Sequence, residues 1–302
     1  MPPGPEDGTA TGSSHEWSTG RYPSLAPNLL PATARLVNAA GVDAGDRVLD
    51  VGCGTGNVAI TAARSGASVV GLDVTPRMIE LARESARLAG VTDDRSARSA
   101  RSAPASSDDE AMAESNHAVP GPTLTGTGSV TWVEGDAGRL PFQADTFEVV
   151  CSNFGHVFAP EPDRVGGELR RVTRPGGRIA FTAWTPDGLV GELTRVLERH
   201  VTRPASDPWA HLEWGRPAFV REQFPAAPLD VQRRIARFRY VSPAHFWREF
   251  AEEAGPLSPV LGRLEDPEAR SRLRSEALAT LEEWFADNEI RVEYLLVRAV
   301  VE

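Results

Sequence analysis

Short apolar runs alternate with longer amphipathic segments through the first 185 residues of the chain. The apolar runs lie at 48–51, 68–73, 130–134, 147–152 and 179–184. Segments with helical spacing follow the first two runs, and another at 168–172 precedes the last. Apolar strands that alternate with helices are typical of a parallel sheet covered on both faces. The pattern therefore predicts an α/β fold with a doubly wound sheet, in which ligands bind at the carboxyl ends of the strands.

A glycine-rich turn follows the first apolar run. Gly52, Gly54 and Gly56 leave room for a ligand to approach the backbone. The helix that begins beyond Asn57 presents amide groups suited to a carboxylate or a phosphate. A nicotinamide fingerprint would place its third glycine where Asn57 stands. The spacing therefore argues against a nicotinamide site, and a tight turn without a ligand stays an alternative.

The wider sequence around the turn, V-L-D-V-G-C-G-T-G-N, resembles the first motif of class I S-adenosylmethionine-dependent methyltransferases, of the UbiE-like small-molecule group. Three further segments support the resemblance: the apolar run ending in Asp73, the motif G-D-A-x-x-L-P-F beginning at Gly135, and R-P-G-G at 174–177. The resemblance covers about residues 17 to 185. It implies a Rossmann-like doubly wound sheet, mostly parallel with an antiparallel last strand, and S-adenosyl-L-methionine as the cofactor.

The resemblance also implies which residues hold the cofactor. Asp73 is expected to bind the ribose hydroxyls, and Val74 and Met78 to line the adenine. Asp136 is expected to accept from the adenine amino group and the Ala137 amide to donate to the ring, with a turn cap as the alternative for Asp136. The other residues expected to bind the cofactor lie in or beside the glycine turn or at the methionine end. They are Tyr22, Asp50, Gly52, Cys53, Gly54, Thr55, Gly56, Asn57 and Asn153.

The transferred methyl group of this cofactor is already activated, so the main task of the protein is to align a nucleophile in line with it and to exclude water. A general base is optional. His156 follows the fourth apolar run and is the best candidate for a base, with a histidine that packs or caps the loop as the alternative. His211 and His245 are weaker candidates. For Tyr22, simple surface packing is the alternative.

The chain is longer than this core requires. Residues 1–14 are expected to form a disordered tail, because they are rich in Pro, Gly, Ser and Thr. A disordered insertion is expected at about 92–128 within the cofactor-binding core at 15–185, with a partner-binding segment or a flap as the alternative. Residues 186–302 are expected to supply a helical substrate-binding addition and the last strands, near 231–240 and 290–300. Most aromatic residues there are expected in the core, and a few in a pocket for an apolar or aromatic acceptor.

Composition narrows the possible functions. The chain contains no lysine, so all 32 basic residues are arginine. This excludes a pyridoxal Schiff base, a Walker lysine and the Tyr-x-x-x-Lys pair of short-chain dehydrogenases. A formal charge of −10 argues against a nucleic-acid surface, and Arg170, Arg171 and Arg174 are expected at a solvated helix end.

Cysteine usage and hydropathy predict the redox state and the compartment of the protein. Cys53 and Cys151 have no metal-ligand spacing, and a reduced thiol pair in a cytoplasmic protein is expected, with no metal and no membrane partner. The sequence as a whole predicts a methyltransferase that acts on a small molecule. A non-catalytic cofactor-binding or scaffold protein and a nicotinamide-dependent oxidoreductase are the alternatives, and the oligomeric state stays open.

Overall fold

The structure is a computed structural model that describes residues 25–94, 128–200, 210–253, 261 and 264–302. The expectations for the tail at 1–14, for Tyr22 and for most of the insertion at 92–128 lie outside the described residues.

Nine strands form one mixed sheet within the described residues. Their order across the sheet is β3-β4-β2-β1-β5-β6-β9-β7, and β8 pairs with β9. The strands β1 to β6 pair in parallel, whereas β9 is antiparallel to both β6 and β7. The strand bounds are β1 Arg47–Val51, β2 Ser68–Asp73, β3 Thr92–Asp93, β4 Ser129–Glu134, β5 Phe147–Asn153, β6 Thr173–Trp184, β7 Leu229–Arg239, β8 Phe285–Ala286 and β9 Glu289–Val300.

Eight α-helices flank the sheet in the described part of the chain. Five of them begin with proline, which suits the first helical position because its missing N–H has no helical partner there. The helix bounds are α1 Leu30–Ala40, α2 Asn57–Arg64, α3 Pro76–Leu88, α4 Pro162–Val172, α5 Leu189–His200, α6 Pro217–Gln223, α7 Pro243–Trp247 and α8 Pro267–Glu283.

The two faces of the sheet carry separate hydrophobic clusters. Apolar residues of α1, α2, α3, α5 and α8 belong to one cluster, and those of α4 and α6 belong to the other. Helices therefore cover both faces, which confirms the doubly wound α/β arrangement. The antiparallel last strand is confirmed as well, since β9 enters the sheet between β6 and β7.

The structure departs from the sequence expectation in three places. The start of the interval at 92–128 forms β3, which pairs with the beginning of β4. β6 begins at Thr173 and not at Ile179, with a register irregularity against β5. Arg171 is half-buried and donates to the carbonyls of Leu140 and Phe142. It therefore stabilises the segment at 140–142 and is not simply a solvated residue at the end of a helix.

Candidate cofactor and acceptor site

The glycine turn has the left-handed backbone that its sequence predicts. Gly52, Gly54 and Gly56 have φ values of 66°, 53° and 87°, a region that side chains disfavour. Gly56 is the N-cap of α2 and has no side chain with which to cap the helix. The amides of Asn57 and Val58 therefore remain available to a ligand, and the helix dipole favours an anionic group there.

A cleft with an empty volume of about 260 Å³, part of it open to solvent, lies beside this turn. Six of the residues expected at the cofactor lie around it together with Val58, which the sequence reasoning missed. The lining residues are Asp50, Gly52, Cys53, Thr55, Asn57, Val58 and Asn153. The cleft therefore joins the turn after β1 to the end of β5, as the adjacency of these two parallel strands requires.

Two buried carboxylates flank the turn. The Ala59 amide donates to Asp50 Oδ2 at 3.0 Å, and burial raises the pKa of Asp50 to about 7. The Gly54 amide donates to Asp73 Oδ2 at 2.8 Å, and the Thr75 amide donates to Asp73 Oδ1 at 2.9 Å. Burial raises the pKa of Asp73 as well. Each oxygen of Asp73 keeps a second lone pair, so the geometry is compatible with the expected ribose contact.

Asn153 is held by side chains from two neighbouring elements. Its Nδ2 donates to Thr33 Oγ1 of α1 at 3.0 Å, and its Oδ1 accepts from Thr182 Oγ1 of β6 at 2.8 Å. Thr33 in turn donates to the carbonyl of Leu29 at 3.1 Å. An amide nitrogen has two hydrogens, so one donor of Asn153 remains for a ligand in the cleft. The two threonines belong to no recognisable motif, so this network could not be predicted from the sequence.

The expected adenine contacts lie past the ends of β2 and β4. Val74 is 40% exposed, which is compatible with a surface that a ligand covers. Met78 is buried in the core. Asp136 Oδ1 accepts from the Gly138 amide at 2.8 Å, as in the turn-cap alternative. This bond does not use the second carboxylate oxygen, which is the atom that would accept from the adenine amino group.

The structure does not bring His156 to the cleft. The side chain is fully buried, with its ring centroid 4.6 Å from that of Trp214 and 4.7 Å from that of Phe181. Burial lowers the pKa of His156 to about 3. Neither ring nitrogen has a hydrogen-bond partner among the described residues. This environment favours the packing alternative over a general base, which must touch the proton that it removes.

An aromatic cluster begins directly after Asn153. Phe154 has a φ of 61° and stacks on Trp184, with ring centroids 3.8 Å apart and an interplanar angle of 10°. Tyr294 and Phe238 pack edge-on against Trp184. A positive φ at a bulky residue stores strain, a feature that concentrates at functional sites. Of the weaker histidine candidates, His211 packs near Phe158 and His245 against Tyr240, and neither lines the cleft.

The comparisons with known proteins agree with this geometry. A family model described as a methyltransferase domain matches residues 49–181. An uncharacterised protein of Mycobacterium tuberculosis is 31% identical over 296 residues, which cover 96% of this chain and 94% of that protein. Methyltransferase GfsG of Streptomyces halstedii is 29% identical over 201 residues, 66% of this chain and 58% of that one.

Two further similarities concern a shorter region and the fold. A demethylmenaquinone methyltransferase of Clavibacter sepedonicus is 35% identical over 138 residues, 46% of this chain and 41% of that one. The crystal structure of a putative methyltransferase from Bacillus halodurans superposes with a TM-score of 0.55 and 17% identity, covering 89% of this chain and 98% of that one.

The fold and the glycine-turn cleft define a Rossmann-like methyltransferase. The chain belongs to the class I S-adenosylmethionine-dependent methyltransferases, and S-adenosyl-L-methionine is its cofactor. Among the described residues, no helix is both long and apolar enough to cross a membrane.

Proposed function

We propose that the protein methylates a small apolar or aromatic molecule. The observation that carries this proposal is the direct succession of Asn153, which lines the cofactor cleft, and Phe154, which stacks on Trp184. An acceptor held beside these rings would lie next to the methionine end of the cofactor. Phe154 and Trp184 are 4% and 9% exposed, so such an acceptor would contact the edge of the aromatic cluster, and an apolar edge favours an aromatic acceptor over a strongly hydrated one.

The residues of the cleft are suited to the cofactor that the family uses. The free amides at the start of α2 would bind the carboxylate of its methionine end, Asp73 would hold the ribose, and Asn153 would donate its remaining N–H. When bound, S-adenosylmethionine would supply a sulfonium-activated methyl group, whose carbon the acceptor attacks in line while the carbon–sulfur bond breaks and S-adenosylhomocysteine leaves. The protein then contributes alignment and exclusion of water, and the acceptor loses its proton to solvent.

The demethylmenaquinone methyltransferase is relevant here because its name describes an enzyme that acts on a quinone-type molecule. Its similarity covers less than half of this chain, so it supports the acceptor class only in part. The part of the chain from 186 onwards contributes Phe238 of β7 and Tyr294 of β9, which pack edge-on against Trp184, and we expect this part to select the acceptor.

The test is turnover on a panel of acceptors, followed as release of S-adenosylhomocysteine. Phenols, naphthols and naphthohydroquinones form one arm, and glycine and ethanolamine form the other. We expect turnover only in the aromatic arm. Turnover confined to the hydrophilic arm would overturn the acceptor class. Tight binding of S-adenosylhomocysteine without turnover on any acceptor would instead favour the non-catalytic alternative.

A further inference from the structure

Trp132 lies beneath the cofactor turn without lining the cleft. On β4 it is the direct partner of Gly71 on β2, so the two positions face the same side of the sheet. A Cβ atom on Gly71 would lie 2.5 Å from both Cε3 and Cζ3 of the indole. The benzene ring of Trp132 therefore lies directly over the backbone of Gly71, and any larger residue at 71 would displace it.

The adjacent atom of the same ring reaches the turn itself. A Cβ atom on Gly56 would lie 2.7 Å from Cη2 of Trp132. Gly56 is the last glycine of the turn and the N-cap of α2. One aromatic ring thus fills the space that two glycines leave, one in the sheet and one in the turn.

The position of the indole is closely constrained. Trp132 is 3% exposed, and the same Cβ position on Gly56 would lie 3.3 Å from both Ala82 and Ile60. Its Nε1 has no hydrogen-bond partner among the described residues, so shape and not a polar contact determines where the ring sits. A rigid ring between the sheet and the turn fixes the height of Gly56 above β2, because packed interiors transmit displacements.

We propose that Trp132 is a positioning residue for cofactor binding. Its ring sets the height of Gly56 and therefore the direction of the Asn57 and Val58 amides, which lie at the cleft. The inference concerns the cofactor and does not depend on the acceptor class.

A matched pair of substitutions separates this role from general stability. Trp214 is also a fully buried tryptophan whose Nε1 is unpartnered, but it belongs to the cluster on the other face of the sheet. We expect Trp132→Phe to weaken S-adenosylhomocysteine binding about tenfold in calorimetric titration, the loss expected when one hydrogen bond is misaligned. Trp214→Phe should lower the melting temperature to a similar extent and leave the dissociation constant within about twofold.

Hydrogen exchange gives a readout that needs no ligand. The amide of Ile60, which donates to the carbonyl of Gly56 at 2.8 Å, should exchange faster in Trp132→Phe than in the wild type, and should be unchanged in Trp214→Phe. Equal exchange at this amide together with unchanged S-adenosylhomocysteine affinity in Trp132→Phe would overturn the inference. If the wild-type protein itself failed to bind S-adenosylhomocysteine, the methyltransferase function and not this inference would be in error.

A double-mutant experiment tests the contact between Trp132 and Gly71. Gly71→Ala should push the ring towards Gly56 and weaken S-adenosylhomocysteine binding in the wild-type background. In a Trp132→Leu background the added methyl group has room, so Gly71→Ala should cause no further loss. Equal losses of S-adenosylhomocysteine affinity in the two backgrounds would show that the ring does not transmit the change, and would overturn the proposal. This test does not require Trp132→Phe to fold.

Discussion

Gly155 crosses Gly52 at backbone contact distance. A Cβ atom on Gly52 would lie 2.7 Å from the Cα of Gly155, and one on Gly155 would clash with the carbonyl oxygen of Gly52. The loop after β5 therefore rests directly on the cofactor turn after β1. Because Asn153 ends β5 and Phe154 begins that loop, the contact joins the cofactor side of the site to the aromatic side.

Gly155→Ala should disturb both the stability of the protein and cofactor binding. The φ of Gly155 is −83°, which alanine adopts easily, so the effect is purely steric. Overpacking of this kind costs on the order of 1–3 kcal/mol. We expect a lower melting temperature, measured by calorimetry, and a larger dissociation constant for S-adenosylhomocysteine.

Gly167→Ala is the matched control for this substitution. Gly167 lies within α4, and a Cβ atom there would meet no atom within 4 Å. Alanine should stabilise the helix by up to about 1 kcal/mol and leave binding unchanged. If the two alanine variants behaved alike, the backbone contact at Gly155 would have no influence on the site.

The strands and the glycine turn could be predicted because they depend on local sequence. The bounds of β2 agree with the predicted strand at 68–73, since a continuous apolar run ends there in an acid. The three turn glycines have positive φ values, which glycine adopts without steric cost. Val58 was missed at the cleft although its neighbour Asn57 was expected there. Its position in the first turn of the helix that follows the glycine-rich segment could have predicted it.

Other features depend on contacts between distant segments and had no signal in the sequence. Gly155 gave no sign that it would meet Gly52, and Trp132 looked like an ordinary residue of an apolar strand. The burial of His156 depends on Trp214, which lies 58 positions further along the chain. Periodicity predicts which elements form, but not which side chains from different elements fill the same space.

Asp73→Ala should weaken cofactor binding with little effect on the fold. The substitution removes the acceptor for the Gly54 and Thr75 amides together with the expected ribose contact. We expect S-adenosylmethionine affinity to fall by on the order of 1.5–3 kcal/mol, as for hydrogen bonds to a charged group. Calorimetric titration measures the loss directly, and circular dichroism checks the fold.

Asp73→Asn is the graded variant. Its single carbonyl oxygen can serve one of the two backbone donors, so its affinity should lie between those of the wild type and Asp73→Ala. An unchanged affinity in Asp73→Ala would remove this carboxylate from the cofactor site.

Asp50→Asn should make the free protein more stable at alkaline pH. The folded pKa of about 7 lies above the ordinary value of 3.8, so burying the charged carboxylate costs stability that grows as pH rises from about 4 towards 7. Asparagine keeps an acceptor for the Ala59 amide without the charge. We expect a gain of roughly 2–4 kcal/mol at pH 8 that disappears near pH 4, measured by urea unfolding.

The control for Asp50 is Glu222→Gln, which removes an exposed carboxylate on α6. It should leave the pH dependence of unfolding as it is in the wild type. A gain in Asp50→Asn that stayed constant from pH 4 to pH 8 would show that the pKa of Asp50 is the same in the folded and unfolded chains, and the burial argument would be wrong.

His156→Phe should make the protein more resistant to acid. The folded pKa of about 3 lies below the ordinary value of 6.5, so the neutral buried ring contributes stability above pH 6.5 that is lost as pH falls towards 3. Phenylalanine fits between Phe181 and Trp214 without polar atoms that lack partners. Relative to the wild type, we expect a gain on the order of 2–3 kcal/mol at pH 4.5, measured by urea unfolding.

The same variant decides between the two roles considered for His156. If the protein works by alignment, His156→Phe should keep the rate of methyl transfer within about tenfold of the wild type at pH 7.5. A loss of roughly 10²–10⁴-fold with unchanged S-adenosylhomocysteine affinity would restore the general base, and would require the ring to leave its aromatic surroundings during turnover. His245→Phe, at a half-buried histidine outside the cleft, controls for the loss of a histidine as such. We expect alignment, because a ring enclosed by Trp214 and Phe181 has no route to a proton on the acceptor.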